Sequence, residues 1–204
     1  RSMREHADWP YTEDELIELC GSADAAIVST RDLFTRRFME SAKRLSAVCK
    51  FGIGVERIDV QAATDAGIMV THTPVPENVA CMSEGTIALM LAMLKSIKFA
   101  DKFMKEGGWR GQEVFGTVML MGKTIGLVGL GRIARAVARK LQPWGVNVLA
   151  YDPYVTQEQA DELAQLVGLD ELLKRSHVVS LHVVITSETK GMIGERELNL
   201  MKPS

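Results

Sequence analysis

The sequence lacks several features that would point to particular functions. Its three cysteines, Cys20, Cys49 and Cys81, lie about thirty residues apart and offer no close pair for a zinc site or a redox motif. Its longest apolar run, residues 87–94, is well short of the about 20 residues that cross a bilayer. Neither sign of charge dominates, because 24 Lys and Arg face 26 Asp and Glu, so no nucleic-acid partner is expected. We therefore expect no metal and no membrane partner, and a cytoplasmic location because no secretory signal is visible.

What the sequence does contain is an alternation of β-rich apolar runs with helical patterns over its 204 residues. Such alternation produces parallel sheets covered by helices, so an α/β fold is predicted. The predicted strands are 25–29, 47–51, 68–71, 124–128, 147–151 and 178–181. The predicted helices follow a capping box at 12–15 and then cover 38–43, 59–67, 132–144, 157–166 and 169–174.

Two prolines, Pro74 and Pro76, separate the first three strands from the rest. Proline fixes φ and removes an amide donor, so the segment 72–76 predicts a domain crossing and a hinge. A helix predicted over about 83–105 is rich in methionine and apolar nearly all round in its first half, which favours burial between domains or subunits. Together with the apolar stretch 114–121, this helix predicts a dimer contact.

A glycine-rich turn between a buried strand and a helix is the most informative stretch. Gly129 and Gly131 open a Gly-x-Gly-x-x-Ala pattern that ends at Ala134, and Asp152 lies 23 positions beyond the first glycine. This strand, turn, helix, strand and acidic residue are typical of a dinucleotide-binding unit. Gly129 permits the tight turn, Gly131 allows the backbone to approach a pyrophosphate, and Ala134 lets the helix pack closely.

The chemistry of this turn favours NAD. The free amides of Arg132 and Ile133 face an anion at a helix N-terminus, where the helix dipole also stabilises negative charge. Asp152 can accept hydrogen bonds from the adenosine ribose hydroxyls. A 2′-phosphate beside Asp152 would cost about 1 to 4 kcal/mol of like-charge repulsion, so NAD is predicted over NADP. The alternative is that the glycines form ordinary turns and Asp152 is an ordinary surface acid.

Several ordered motifs resemble the NAD-dependent D-isomer-specific 2-hydroxyacid dehydrogenases, particularly the members that oxidise 3-phosphoglycerate. The motifs are KFGIGVERIDVQAATDAGIMVTHTP at 50–74, GKTIGLVGLGRIARAVA at 122–138 and VVSLHVVIT at 178–186. The resemblance implies a Rossmann-type NAD-binding domain at 74–204, incomplete at its C-terminus, and a partial flavodoxin-like substrate domain at 1–73. It also implies a homodimer that acts on a small 2-hydroxy or 2-keto acid by hydride transfer.

Further site residues are implied by this resemblance. The family's substrate-carboxylate loop falls on Gly52, Ile53 and Gly54; the alternative is that Gly52 and Gly54 merely end a strand. His182 and Val183 fall where the family lines the cofactor, and simple core packing is the alternative for Val183. No histidine of this sequence falls in the family's catalytic motif, so no catalytic residue is assigned.

The resemblance is incomplete in ways that bear on activity. The family's catalytic arginine, glutamate and histidine motifs would follow Ser204, so we expect a chain truncated at both ends that is inactive alone. Val184 replaces the proline of a common His-x-Pro motif, and Glu56-Arg57 replaces Asp-Asn after the second glycine of the substrate loop. Two alternatives stay open: a non-catalytic, NAD-sensing relative that resembles a corepressor, and a formate or phosphite dehydrogenase of the same fold.

Overall fold

A computed structural model describes residues 10–109 and 116–203. The chain divides into two units, Arg1–Asn78 and Val79–Ser204. Each unit contains its own parallel β-sheet with helices beside it, which confirms the predicted α/β fold. The assignment of 1–73 to a substrate domain and of 74–204 to an NAD-binding domain stays a prediction.

The first unit is built on a three-stranded parallel sheet. Its strands are β1 (Ala25–Val28), β2 (Ala47–Lys50) and β3 (Met69–His72), and its helices are α1 (Glu13–Cys20), α2 (Arg36–Ser41) and α3 (Val60–Asp65). The order is β1-β2-β3, with Ala47 opposite both Ala25 and Met69. Lys50 and His72 are therefore paired at the carboxyl end of the sheet.

Side-chain caps fix where the helices of this unit begin. Thr12 and Glu15 form the predicted capping box, and Asp59 accepts the amide of Ala62 as the cap of α3. Thr35 accepts the amide of Phe38, so α2 begins at Arg36 rather than at 38 as predicted. The rings of Phe34 and Phe38 then meet edge to face, with centroids 4.9 Å apart, in a buried apolar cluster.

The second unit contains a four-stranded parallel sheet in the order β6-β5-β4-β7. Its strands are β4 (Thr124–Val128), β5 (Asn147–Tyr151), β6 (Gln165–Leu166) and β7 (Val178–Leu181). Its helices are α4 (Pro76–Leu94), α5 (Ile97–Lys105), α6 (Arg132–Leu141), α7 (Gln157–Ala160), α8 (Leu169–Arg175) and α9 (Glu195–Leu200). Short 3₁₀ turns follow α6 at Gln142–Trp144 and α7 at Asp161–Leu163.

Strand β4 has buried residues on both faces, as expected for an inner strand of a parallel sheet. Ile125 and Leu127 belong to a cluster that includes the inner face of α6, whereas Val128 packs with residues of α8 on the other face. A Cβ at Gly126 would lie 2.3 Å from the hydroxyl of Ser176 and 2.5 Å from a methyl of Leu172. Glycine at 126 therefore allows α8 to pack directly against β4.

The predicted helix over 83–105 is wrong in its start and in its continuity. Helix α4 begins at Pro76, because a proline at the first helical position has no amide bond to lose. Ser96 has a left-handed backbone with φ +50, so the helix ends at Leu94 and α5 begins at Ile97. Lys140 of α6 donates to the Glu84 carboxylate at 2.9 Å and thus attaches α4 to α6.

The segment 157–166 was predicted as one helix, and this prediction is also wrong. Helix α7 ends at Ala160, and Asp161 follows with φ +55. Gln165 and Leu166 then form β6 beside β5, because Leu149 and Ala150 offer an open strand edge for pairing. Helix α9 has no counterpart among the predictions.

Membrane-spanning helices were sought among the residues that the structure describes. No single helix there combines the length and apolar character needed to cross a bilayer. Helices α4 and α5 meet the criterion of length and composition only as a pair, and they are bent by 61° relative to each other.

Candidate functional site

A cavity of about 530 Å³ opens at the carboxyl ends of β4, β5 and β7 in the second unit. Ligands of open α/β sheets bind at this edge, and the volume is in the range that small-molecule sites occupy. The glycine turn after β4 lies on one side of it, together with the loops that follow β5 and β7. Of the seven predicted cofactor residues, five line this cavity, namely Gly129, Gly131, Asp152, His182 and Val183. Arg132 and Ile133 follow Gly131 in the chain but are not part of the cavity lining.

Gly129 is required by the protein's own packing. Its φ is +89, a conformation that other L-residues rarely adopt. A Cβ there would lie 3.0 Å from the carbonyl carbon and oxygen of His182 and 3.1 Å from Val183. Its N–H donates to the carbonyl of Tyr151 at 2.7 Å, so the turn is fixed against β5 and the loop after β7.

Gly131 differs from Gly129 because the described residues around it leave room for a side chain. Its φ is −76, and a Cβ would meet no atom within 4 Å. Gly131 is the N-cap of the ten-residue α6, and it has no side chain that could accept a hydrogen bond from the first amides of this helix. A Cβ at 131 would instead occupy space next to these amides, where an anion would bind.

Arg132 and Ile133 supply the first amides of α6. The Arg132 side chain is exposed and Ile133 is half-buried against the core. Helical geometry leaves both N–H groups without an acceptor inside the helix. The backbone at this turn therefore has free donors at the positive end of a helix dipole, and their binding of an anion stays a prediction.

Asp152 connects the end of β5 to the glycine turn. Its Oδ2 accepts the N–H of Leu130 and its Oδ1 accepts the N–H of Tyr154, both at 2.9 Å. These bonds hold the carboxylate at the cavity wall and leave further lone pairs on each oxygen. The bond to Leu130 links Asp152 to the glycine turn, whereas the bond to Tyr154 is a local contact that an aspartate in any turn can make.

Arg135 supports the glycine turn, and the sequence analysis did not identify it. Its Nε donates to the carbonyl of Leu130 at 3.0 Å, so both backbone groups of Leu130 are bound by side chains. Its position one helical turn after Gly131 places it within reach of the turn, which is the only sequence signal for this role.

His182 and Val183 form the wall opposite the glycine turn. The N–H of His182 donates to Val128 at 2.7 Å, which continues the pairing of β7 with β4. The Nε2 of His182 is buried and has no hydrogen-bond partner in the described part of the chain. Burial also lowers the pKa of His182, so its ring is neutral at pH 7. Val183 packs partly into the core, in line with the alternative for that residue.

The sequence analysis did not identify three further residues that line the cavity, Tyr154, Glu188 and Thr189. The amide of Thr186 donates to the Thr189 hydroxyl at 2.8 Å, and the amide of Thr189 donates back to Thr186 at 3.2 Å. This pair of bonds fixes the loop that carries Glu188. The spacing of the two threonines is a sequence signal for such a turn, but it does not indicate what the loop faces.

The predicted substrate loop, Gly52 to Gly54, follows β2 in the first unit. Gly52 has φ +118, and its N–H donates to the hydroxyl of Thr73 at 2.8 Å. The carbonyl of Ile53 lies 2.8 Å from Nδ1 of His72. The structure thus brings Gly52 and Ile53 against the end of β3, where the Gly52 amide donates to Thr73.

The sequence analysis also missed Lys50, at the end of β2. It is 3% exposed, and its Nζ donates to the carbonyl of Phe51 at 2.7 Å. The described residues include no carboxylate in an ion pair with it, although a buried charge usually has a partner. A Cβ at Gly52 would lie 3.3 Å from its Nζ. The substrate loop is therefore next to a buried positive charge.

Glu56 places a negative charge at the same loop. A Cβ at Gly54 would lie 2.3 Å from Glu56 Oε2, so the glycine leaves room for this carboxylate. Glu56 is exposed and is one of the residues at which the sequence departs from the resembled family.

No cluster of His, Cys, Asp or Glu suited to a metal ion occurs among the residues for which coordinates are described.

Comparison with known families identifies the second unit. The family model described as D-isomer specific 2-hydroxyacid dehydrogenase, NAD binding domain, matches residues 87–204. The chain therefore belongs to the D-isomer specific 2-hydroxyacid dehydrogenase family. The predicted family, the Rossmann-type fold and the cofactor NAD are confirmed by this match.

Three similar proteins illustrate the family. D-3-phosphoglycerate dehydrogenase of Methanocaldococcus jannaschii is 37% identical over 94% of this chain and 36% of its own length. Glyoxylate reductase of Thermococcus litoralis is 37% identical over 93% of this chain and 59% of its own length. The structure of D-lactate dehydrogenase from Aquifex aeolicus with NAD and lactic acid has a TM-score of 0.81 at 31% identity, covering 94% of this chain and 56% of that one. The chain spans about a third to three fifths of these relatives.

Proposed function

We propose that this chain binds NAD in the cavity between the glycine turn and the loops after β5 and β7. The observation that carries the proposal is the start of α6, where Gly131 has neither a strained φ nor a packing neighbour. Because Gly131 also lines the cavity, its missing side chain leaves room there for a ligand to approach the first amides of α6. The neighbouring amides of Arg132 and Ile133 would hold the pyrophosphate, and Asp152 would accept the ribose hydroxyls.

The remaining cavity residues fit the less polar parts of the same cofactor. Val183 and the partly buried ring of His182 line the cavity and offer walls of low polarity. Arg135 and Leu130 keep the turn in place through their shared hydrogen bond. The cavity thus combines apolar walls with a few fixed polar groups, which is the usual composition of a cofactor site.

We further propose that the protein to which this chain belongs oxidises a D-2-hydroxy acid or reduces the corresponding 2-keto acid. NAD supplies the nicotinamide ring that exchanges a hydride with the carbon bearing the hydroxyl group. Residues 1–73 would be part of the substrate domain. The relatives act on different small acids, so 3-phosphoglycerate is one of several candidate substrates.

The substrate carboxylate would bind at Gly52 to Gly54, with Lys50 as the source of positive charge. Lys50 is buried beside Gly52 without a described carboxylate partner, so an incoming anion would compensate its charge. Glu56 would have to turn away from Gly54 to admit that anion, which its exposed position permits. Replacing Lys50 with Met keeps the apolar stem and removes the charge, so it should weaken binding of a 2-hydroxy acid by about tenfold or more.

We also propose that the chain forms a homodimer through the apolar face of α4, defined by Met82, Leu89 and Met93. Leu89 is 74% exposed and Met93 62% exposed, although both belong to a largely apolar helix. Exposed apolar patches of this kind mark interaction surfaces. Of the stretch 114–121 that was predicted to contribute, residues 114 and 115 lie outside the described residues, and Met119 and Met121 are exposed. The cytoplasmic location stays a prediction.

An amide-resolved titration tests the cofactor site. NAD added to isotope-labelled protein should shift the amide signals of Gly131, Arg132 and Ile133. Gly168 is an internal control, because it precedes α8 as another glycine N-cap without a side-chain cap. Shifts at Gly168 but not at Gly131, or no saturable shift with NAD, would contradict the proposed site.

A further inference from the structure

The mouth of the cavity carries an acidic residue on each of two loops. Asp152 follows β5, and Glu188 lies on the loop after β7. The hydroxyl of Tyr154 donates to Glu188 Oε2 at 3.3 Å, while the Tyr154 amide donates to Asp152 Oδ1 at 2.9 Å. One tyrosine therefore links both acids across the cavity mouth.

The two carboxylates act on the same region of space. Glu188 is the main cause of a raised pKa of the Tyr154 hydroxyl, and Asp152 raises it further. The described residues that line the cavity include no lysine or arginine. The mouth therefore carries two negative charges with no cation on the same walls, whereas the donors for an anion lie at the start of α6.

Glu188 is held in place although it is exposed. The reciprocal hydrogen bonds of Thr186 and Thr189 fix its loop, and the Thr189 hydroxyl also donates to the carbonyl of Val184. Glu188 forms no ion pair with any residue in the described ranges, so no neighbouring cation neutralises its charge. Its described contact is with Tyr154, at the cavity.

We propose that Glu188, positioned by Tyr154, is a second specificity residue that acts with Asp152 against a cofactor phosphorylated on the adenosine ribose. This inference rests on the proposed NAD site. A nucleotide whose ribose lies at Asp152 would place a 2′-phosphate near both acids, and the phosphate would be repelled twice. The unphosphorylated ribose carries no charge, so Glu188 costs NAD little.

Calorimetric titrations of the whole chain with NAD and with NADP test the inference. The variants are Glu188→Gln, Tyr154→Phe and, as a matched control, Glu158→Gln on the exposed face of α7. Glu188→Gln should lower the ratio of the NADP Kd to the NAD Kd by about two- to tenfold, because one exposed like charge is removed. Tyr154→Phe should lower this ratio less, because Glu188 keeps its charge but loses its donor. Glu158→Gln should leave the ratio unchanged.

The outcomes separate the inference from the proposed function. If the wild-type chain binds neither nucleotide, the NAD site itself is wrong. If NAD binds but Glu188→Gln leaves the ratio unchanged, or changes the two affinities equally, Glu188 is not a specificity residue. Raising the salt concentration should reduce the difference between wild type and Glu188→Gln, since both acids are accessible to counterions. A difference that does not depend on salt would also overturn the inference.

Discussion

Asp152 and Leu130 are joined by a hydrogen bond of 2.9 Å between the Asp152 carboxylate and the Leu130 amide. The bond places a negative charge next to the glycine turn, at the end of β5, where the sequence predicts a ribose-binding acid. The same carboxylate accepts the Tyr154 amide, so its orientation is fixed before any ligand arrives. A site that is fixed in advance loses less entropy on binding.

Replacing Asp152 with Ala should reduce the preference for NAD over NADP. The like-charge cost that Asp152 imposes on a 2′-phosphate is about 1 to 4 kcal/mol, which corresponds to about fivefold to several hundredfold in the ratio of the two Kd values. NAD affinity should also fall, because the ribose loses an acceptor and the Leu130 amide loses its partner. Calorimetric titration with both nucleotides measures this ratio. Asp101→Asn, on the exposed surface of α5, is the control that should change neither Kd, and an unaltered ratio in Asp152→Ala would contradict the assignment.

Gly129 and Gly131 should respond differently to alanine. Gly129→Ala introduces a Cβ at φ +89 and 3.0 Å from the His182 carbonyl, so the free energy of unfolding should fall by about 1 to 3 kcal/mol. Gly131→Ala meets no protein atom within 4 Å and should leave the unfolding midpoint nearly unchanged. It should nevertheless weaken NAD binding, because its methyl group would occupy the space beside the α6 amides.

Thermal unfolding and NAD titration of both variants separate these effects. Each variant serves as the control for the other, since they differ by two positions in one turn. The interpretation fails if Gly131→Ala binds NAD as tightly as the wild type, or if it unfolds at a much lower temperature.

Stability should depend on pH through His182, the partly buried histidine at the cavity. Burial lowers the pKa of His182 below its ordinary 6.5, and burial also lowers that of His177, with the nearby Lys202 and Lys123 adding to the effect. The unfolded chain therefore takes up protons near pH 6.5 before the folded chain does. Their contribution to stability is complete above that pH and is lost as the pH falls toward the folded values. Urea unfolding at pH 7.5 and 5.5 should show this loss.

The variant His182→Gln provides the control for this pH dependence. Glutamine keeps a polar side chain of similar reach but cannot take up a proton in this range. The decrease between pH 7.5 and 5.5 should be smaller in His182→Gln than in the wild type, and smallest when His177→Gln is added. An identical decrease in all three proteins would show that other groups cause the pH dependence.

The strand, the glycine turn and the helix at 124–141 could be predicted because their sequence signals are local. The glycines at 129 and 131 and the strand before them specify a conformation within a few residues, and Asp152 follows at a fixed distance. Tyr154 and Glu188 were not predicted, because their contact joins loops 34 residues apart in sequence. Lys50 was also missed, since nothing local shows that a charged residue at a strand end is buried.

The difference between local sequence signals and contacts made by distant residues also explains the errors in the predicted secondary structure. The break between α4 and α5 occurs at Ser96, whose left-handed conformation no glycine or proline signals. The strand β6 contains only two residues, and β5 supplies the partner that makes it a strand. Tertiary pairing thus overrode a local pattern that indicates a helix over 157–166.

Finally, the exposed apolar face of α4 should control the oligomeric state. Leu89 lies 74% exposed on this face, and burial against a second copy would remove much of that area from water, at about 25 cal/mol per Å² of apolar surface. Leu89→Glu would place a charge in such a contact, so the sedimenting mass should fall from that of a dimer to that of a monomer. Met69→Glu is the matched control, because Met69 is 64% exposed on β3 and should leave the mass unchanged. If the wild-type chain sediments as a monomer at micromolar concentration, the proposed dimer is wrong. If the Leu89→Glu chain remains dimeric, the contact lies on another surface.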